Sequence, residues 1–149
     1  MTEIGFYHLT RTGVDRALPQ LLGRVLAQGG RAVVLCGSEE RRDALDASLW
    51  LSENPDWLPH GTARMGHADL QPIWLTTEDE NPNGAAFLFL LDGMASARTD
   101  SYARVFDLFD GNDEAAVAAA RERWRQGKAA GHTLTYWRQG ARGWEKAGQ

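Results

Sequence analysis

Ile4 to Leu9 (IGFYHL) and Arg31 to Cys36 (RAVVLC) are short runs with almost no polar interruption, and they constrain the chain more than any other feature. Runs of this length without alternation read as strands covered on both faces, the habit of parallel sheets. Between them Val14, Ala17, Leu18, Leu21, Leu22, Val25 and Leu26 recur at i, i+3, i+4, i+7, i+8, i+11 and i+12. That spacing predicts an amphipathic helix, stopped by Gly29 and Gly30. Pro19 has to fall in its first turn or two, because deeper placement would break the hydrogen-bond ladder. After the second run, Gly37 and Ser38 lead into Glu39 and Glu40, an N-cap with two acids where the helix dipole favours them. This second helix reads through Leu45, Leu49 and Trp50 to about Ser52. Strand, helix, strand, helix in this order implies crossover connections and a parallel core.

The rest of the chain continues the theme. Residues 54–72 carry Pro55, Pro59, Gly61, Gly66 and Pro72 and read as a long loop, a kind often functional. Strands are predicted at Ile73–Thr76, Ala86–Leu91 and Ala103–Leu108, a helix from Asp113 to Ala130, and a last strand, HTLTYWR, from His132 to Arg138. The expected fold is a single α/β Rossmann-like domain over residues 1–138, with a largely parallel sheet and helices on both faces. Residues 139–149 hold three glycines and are expected to be a loose C-terminal tail.

Length and composition agree with one domain. A chain of 149 residues with 43% hydrophobic and 24% charged residues can bury an ordinary core. Cys36 is the single cysteine, which excludes an internal disulfide and a cysteine-rich zinc site. With no basic, apolar leader after Met1 and no apolar run long enough to span a bilayer, a soluble cytoplasmic protein is expected.

The net charge of −4 is unevenly spread. Residues 1–120 carry nine basic and 18 acidic residues, a balance of −9, whereas residues 121–149 carry seven basic and two acidic, a balance of +5. A basic end on an acidic body points to a small anionic partner, an acidic peptide or a carboxylate. The acidic body would repel duplex DNA, whose binding depends on neutralised phosphates, so direct DNA binding is the weaker reading.

Nucleotide chemistry is the other competitor, as an enzyme or a degenerate helicase-like domain on the same fold. Its phosphate-binding signatures are missing: no Gly-x-Gly-x-x-Gly and no Gly-x-x-x-x-Gly-Lys-Ser/Thr follows either early strand. Gly37-Ser38-Glu39-Glu40 places carboxylates where phosphate oxygens would sit, so an ordinary helix cap explains it better. His60, His67 and Asp69 share the long loop but match no regular metal-ligand spacing and read as exposed. No serine or cysteine stands in a nucleophile setting, and Cys36 reads as a small buried hydrophobe.

The last predicted helix carries more information. At 100° per residue, Ala116, Ala119, Ala120, Gly127 and Ala130 form one stripe, small enough to lie close on a sheet. Val117, Arg121, Trp124 and Lys128 form another, with Arg125 at its edge. Tryptophan flanked by cations is either an interface anchor or a ring packed beneath the long loop, and the residues alone leave both open. Arg123 points toward the small-residue side and is expected to pair with Asp92 or Asp107.

Several motifs resemble one family. The opening GFYHL, the RAVVLC strand, the helix ending in DASLW, the turn WLPH (Trp57–His60), and ARERWR (Ala120–Arg125) followed by AGHTLTYW are similar to the chi subunit of bacterial DNA polymerase III. The motifs run in order over about residues 3–137. That resemblance implies an accessory subunit with no catalytic centre or cofactor of its own. It implies a link from the clamp-loader complex, through a psi subunit, to single-stranded-DNA-binding protein, with DNA reached only indirectly and no membrane contact. Family members grip the C-terminal tail of that protein, an acidic peptide ending in Pro-Phe. The family's key arginine corresponds to Arg121, its aromatic position to Trp124, its further basic residue to Lys128, and its apolar pocket to Trp57 and Phe109. Val117 stands where family members can carry a lysine. Toward the tail that the resemblance implies, Arg121 would fork the terminal carboxylate, Val117 would help line the pocket, and Arg125 and Lys128 would draw in the acidic residues upstream.

Overall fold

The structure is a computed structural model that describes residues 2–51 and 58–147. Along the chain come β1 (Glu3–Leu9), α1 (Val14–Ala27), β2 (Ala32–Leu35), α2 (Glu39–Trp50), β3 (Ile73–Thr76), β4 (Phe87–Leu90), β5 (Arg104–Asp110), α3 (Glu114–Ala129), β6 (Thr133–Gly140) and β7 (Gly143–Ala147). The strands form one sheet in the order β3-β2-β4-β5-β1-β6-β7. Every pairing is parallel except β6 with β7. The predicted parallel α/β architecture is therefore present, with β1 and β2 separated by β4 and β5.

Alternation along each strand divides the core into two layers. Tyr7, Val34, Phe89, Phe106 and Leu108 face α1 and α2, meeting Leu18, Leu22, Leu45 and Leu49. Phe6, Val33, Leu88, Val105 and Phe109 face the other way, where Ala120 of α3 and Leu134 of β6 close over part of them. Both faces of the central strands are covered, which explains their lack of polar positions.

Local signals behave as the residue types demand. Gly29 takes φ +76°, and the N–H groups of Gly29 and Gly30 return to the Leu26 and Val25 carbonyls, closing α1. Pro19 sits in the second turn of α1, buried. Ser38 caps α2 by accepting from the Arg41 N–H at 3.1 Å, and Asp113 caps α3 by accepting from Ala115 and Ala116.

Three expectations need correction. The segment read as a loose tail is strand as far as Ala147: Arg138 pairs with Glu145, Gln139 with Trp144 and Gly140 with Gly143 across a two-residue turn. The glycines there make the turn, Gly143 at φ +121°, and Trp144 anchors the hairpin on the Tyr7 ring at 5.0 Å. Secondly, the stripe of α3 that meets the sheet is rotated from the all-small one. Ala120 is its buried centre, flanked by Ala116, Val117, Arg123, Trp124 and Gly127, while Ala119 and Ala130 are exposed. Burying the Trp124 ring outweighs the close approach that five small residues would have allowed. Thirdly, His60 is buried, 1% exposed, rather than lying loose on the surface. Its ring packs at a tilt against Trp50, centroids 4.2 Å apart, and its nitrogens bond the Leu58 carbonyl and Asp46, which accounts for its polar groups. Gly61, next along, forms a parallel bridge with Trp74, so the loop holds to the β3 edge.

Candidate functional site

Helix α3 crosses from β5 to β6 over β1, and its placement is held by one buried ion pair. Arg123 donates to both carboxylate oxygens of Asp107, Nε at 2.7 Å and Nη2 at 2.9 Å. Asp107 is one of the two partners expected for Arg123, the other being Asp92. Burial pushes the Asp107 carboxyl above its usual range, and the Arg123 guanidinium offsets part of that shift. One residue further on, Trp124 meets Phe6 edge-to-face at 5.3 Å and Tyr136 at 6.0 Å. Gly127 lets the helix descend: a Cβ there would stand 3.2 Å from the Leu134 side chain.

Beside this contact lies a hollow of about 290 Å³, lined by Phe109 of β5, Tyr136 of β6 and the α3 residues Val117, Ala120, Arg121, Trp124 and Arg125. Five of the seven residues proposed from sequence thus surround one cavity: Phe109, Val117, Arg121, Trp124 and Arg125. Lys128 is exposed one turn beyond Trp124 and does not line it. Trp57 lies outside the described residues. Arg121 is exposed, and among the described residues no carboxylate comes within ion-pair distance of it. Arg125 is already paired, with Glu122 at 2.9 Å on the open surface.

Tyr136 completes the floor, and His8 braces it from behind without lining the hollow; neither was put forward as a site residue from sequence. The strand alternation in HTLTYWR could have found Tyr136, since it shares the α3-facing side with Leu134. His8 is brought in by the pairing of β1 with β6 and carries no local signal. Its Nδ1 bonds the Tyr136 hydroxyl, and its ring packs on Phe109 at 5.2 Å. Burial holds the imidazole below its ordinary value of 6.5, the Gly111 backbone bond opposes this, and the cations Arg138 and Arg121 add to it. The Tyr136 hydroxyl is raised, again chiefly by burial, with the same two arginines pulling it down. At neutral pH the hollow therefore rests on an uncharged pair, Tyr136 in its floor and His8 behind it, under a cationic rim. That arrangement suits a ring carrying a negative group, the ring among Phe109, Trp124 and Tyr136 and the charge on Arg121.

One cysteine lies among the described residues. Cys36 is buried with its thiol pushed up to about 12, by burial first and Asp92 second. No group of three or more His, Cys, Asp or Glu side chains there is placed to hold a metal ion. The loop between β1 and α1, where a nucleotide phosphate would rest in a doubly wound fold, has another occupant. The N–H groups of Thr10, Arg11 and Thr12 all donate to the Gln139 side-chain oxygen, at 2.9, 2.8 and 3.1 Å. Three converging amides of this kind form an anion-binding concavity when left open; here an amide from β6 fills it. No helix among the described residues is long and apolar enough to cross a membrane.

Residues 1–135 match the protein family described as DNA polymerase III chi subunit, HolC. The chain belongs to that family. The family's description names an accessory subunit of a DNA polymerase complex. The chain is also 25% identical over 109 residues to the probable DNA polymerase III subunit chi of Rickettsia prowazekii (strain Madrid E). That similarity covers 71% of this chain and 66% of the relative, so the chain spans just under two thirds of the relative's length. The family match stops before Tyr136, so part of the hollow's floor, and all of β7, lie beyond it.

Proposed function

We propose that this chi-family chain is a non-catalytic adaptor that grips the acidic C-terminal tail of single-stranded-DNA-binding protein. In this reading it ties that protein to the clamp-loader complex through a psi subunit. The observation that carries it is the exposed Arg121 guanidinium, without a carboxylate partner among the described residues, at the mouth of a ring-walled hollow. A terminal phenylalanine needs both parts: an apolar seat for the ring and a bidentate donor for the carboxylate. The tail's aromatic ring enters between Phe109, Trp124 and Tyr136, with Val117 along one wall. Arg121 forks the terminal carboxylate. Lys128 and Arg125 act from the rim on the acidic residues upstream, Arg125 exchanging its exposed Glu122 partner at little cost. Valine at 117 makes that part of the wall apolar rather than cationic, which concentrates the electrostatic share of binding on Arg121.

The filled amide concavity at Thr10–Thr12 favours this adaptor over a nucleotide-binding enzyme, because a phosphate would first have to displace Gln139. The acidic body favours a peptide over direct binding of DNA. Titrating a labelled acidic peptide ending in Pro-Phe against the wild type and Arg121→Ala tests the reading. Arg121→Ala is expected to lose about 2–5 kcal/mol of binding, at least roughly tenfold in affinity. Equal affinities would remove Arg121 from the role, and a thermal shift with ATP but none with the peptide would return the nucleotide reading.

A further inference from the structure

A second ring-lined hollow, about 220 Å³, opens on the opposite face of the sheet between α1 and the C-terminal hairpin. Tyr7, Phe106, Trp137 and Trp144 wall it, and Arg24 and Arg104 stand beside them. The rings are mutually braced: Trp137 stacks on Tyr7 at 6.2 Å and 11°, and Trp144 meets Tyr7 edge-on at 5.0 Å. The Arg104 guanidinium lies 4.9 Å over the Phe106 ring. Among the described residues neither arginine has an ion-pair partner, and no acidic side chain lines the hollow. Trp137 and Trp144 lie beyond residue 135, where the family match ends. Successive residues of β6 thus serve two cavities, Tyr136 the one under α3 and Trp137 the one under α1.

We propose that this hollow is a second, separate docking site, for an acidic polypeptide segment that presents one aromatic side chain. The four rings offer a seat for one more ring, and Arg24, exposed and without an ion-pair partner among the described residues, selects a negative neighbour on the same segment. Arg104 adds to it less, being bonded to Tyr7 and standing opposite Glu3 in the β1–β5 register. Nucleic acid fits less well. Its regularly spaced phosphates would run onto a body whose first 120 residues carry −9, whereas a peptide can confine its charge to the residues beside Arg24 and Arg104. A hollow of this size admits one ring rather than a run of stacked bases. The site needs no free carboxyl terminus, which sets it apart from the Arg121 hollow.

The test is a titration of the full chain with the peptide Asp-Asp-Phe-Asp-Asp, both ends capped, followed by the indole N–H signals of Trp137 and Trp144. Saturable shifts at both signals are expected, unchanged in Arg121→Ala and at least about tenfold weaker in affinity in Arg24→Gln. Arg24 is exposed in the last turn of α1, so that variant keeps the fold. No saturable shift, an affinity unaltered by Arg24→Gln, or shifts lost in Arg121→Ala would overturn the proposal. So would oligothymidylate shifting the two signals at lower concentration than the peptide.

Discussion

Replacing Arg123 by alanine tests how α3 is held against the sheet. Only Ala120 of that helix is fully buried, so its docking depends heavily on the Trp124 ring and on the Arg123–Asp107 pair. Asp107 is 3% exposed and takes both of its bonds from the one guanidinium, at 2.7 and 2.9 Å. Removing Arg123 strands a buried carboxylate, which costs about 3–5 kcal/mol when no partner replaces the lost one. Because burial already raises the Asp107 carboxyl, the variant can escape part of this by taking up a proton, so the lower end, about 3 kcal/mol, is expected. For a chain of this length that is a fall in Tm of about 6–12 °C, readable by calorimetry. The sign with pH follows: a carboxyl raised in the folded state binds its proton more tightly than the unfolded chain does. Its destabilising effect therefore grows as pH rises past the unfolded value and shrinks as pH falls. The deficit of Arg123→Ala should be smaller at about pH 4.5 than at about pH 7.5. The double variant Asp107→Leu, Arg123→Met should melt close to the wild type, since it leaves no buried charge. An Arg123→Ala melt within about 2 °C of wild type, or a deficit independent of pH, would show that the pair does not hold α3.

Three further outcomes are expected. Gly111→Ala places a methyl against the His8 ring and 2.8 Å from the Leu9 carbonyl oxygen, so it should cost about 1–3 kcal/mol in denaturant titration and loosen the hollow's floor. His8 is held below 6.5 in the folded chain, so the unfolded chain binds more protons just under that value and stability should fall as pH drops below it. His8→Gln should flatten that part of the profile, and an unchanged slope in thermal melts would exclude His8 as its source. Lys128→Ala, outside the cavity wall, should weaken tail-peptide binding less than Arg121→Ala and chiefly reduce its dependence on salt; a loss equal to that of Arg121→Ala would place Lys128 in direct contact.

Much of the fold was legible because its signals are local. The apolar runs at Ile4–Leu9 and Ala32–Cys36, the helical spacing from Val14 to Leu26, and the caps at Ser38 and Asp113 each act within a few residues. The candidate site was legible along α3 for the same reason: Val117, Arg121, Trp124 and Arg125 share a face by helical geometry alone. The C-terminal hairpin was hidden because its glycines and charges look like those of a loose end. What orders it is remote, the Tyr7 ring under Trp144 and the β1–α1 loop amides on Gln139. His60 was misjudged for a similar reason, its partners Asp46 and Trp50 lying on α2.

The sequence by itself determined the α/β alternation, the covered strands, the helix boundaries and the cationic face of the last helix. Periodicity and capping are properties of neighbours in the chain, and the covalent order carries them directly. The tertiary structure decided which strands lie side by side, and so everything that depends on two distant segments meeting. Setting β1 between β5 and β6 brings His8, Phe109 and Tyr136 beneath α3. It also puts Tyr7 between Phe106 and Trp137 on the other face. Those neighbours are chosen by how two apolar layers can be buried at once, a condition on the whole chain that no single stretch of it encodes.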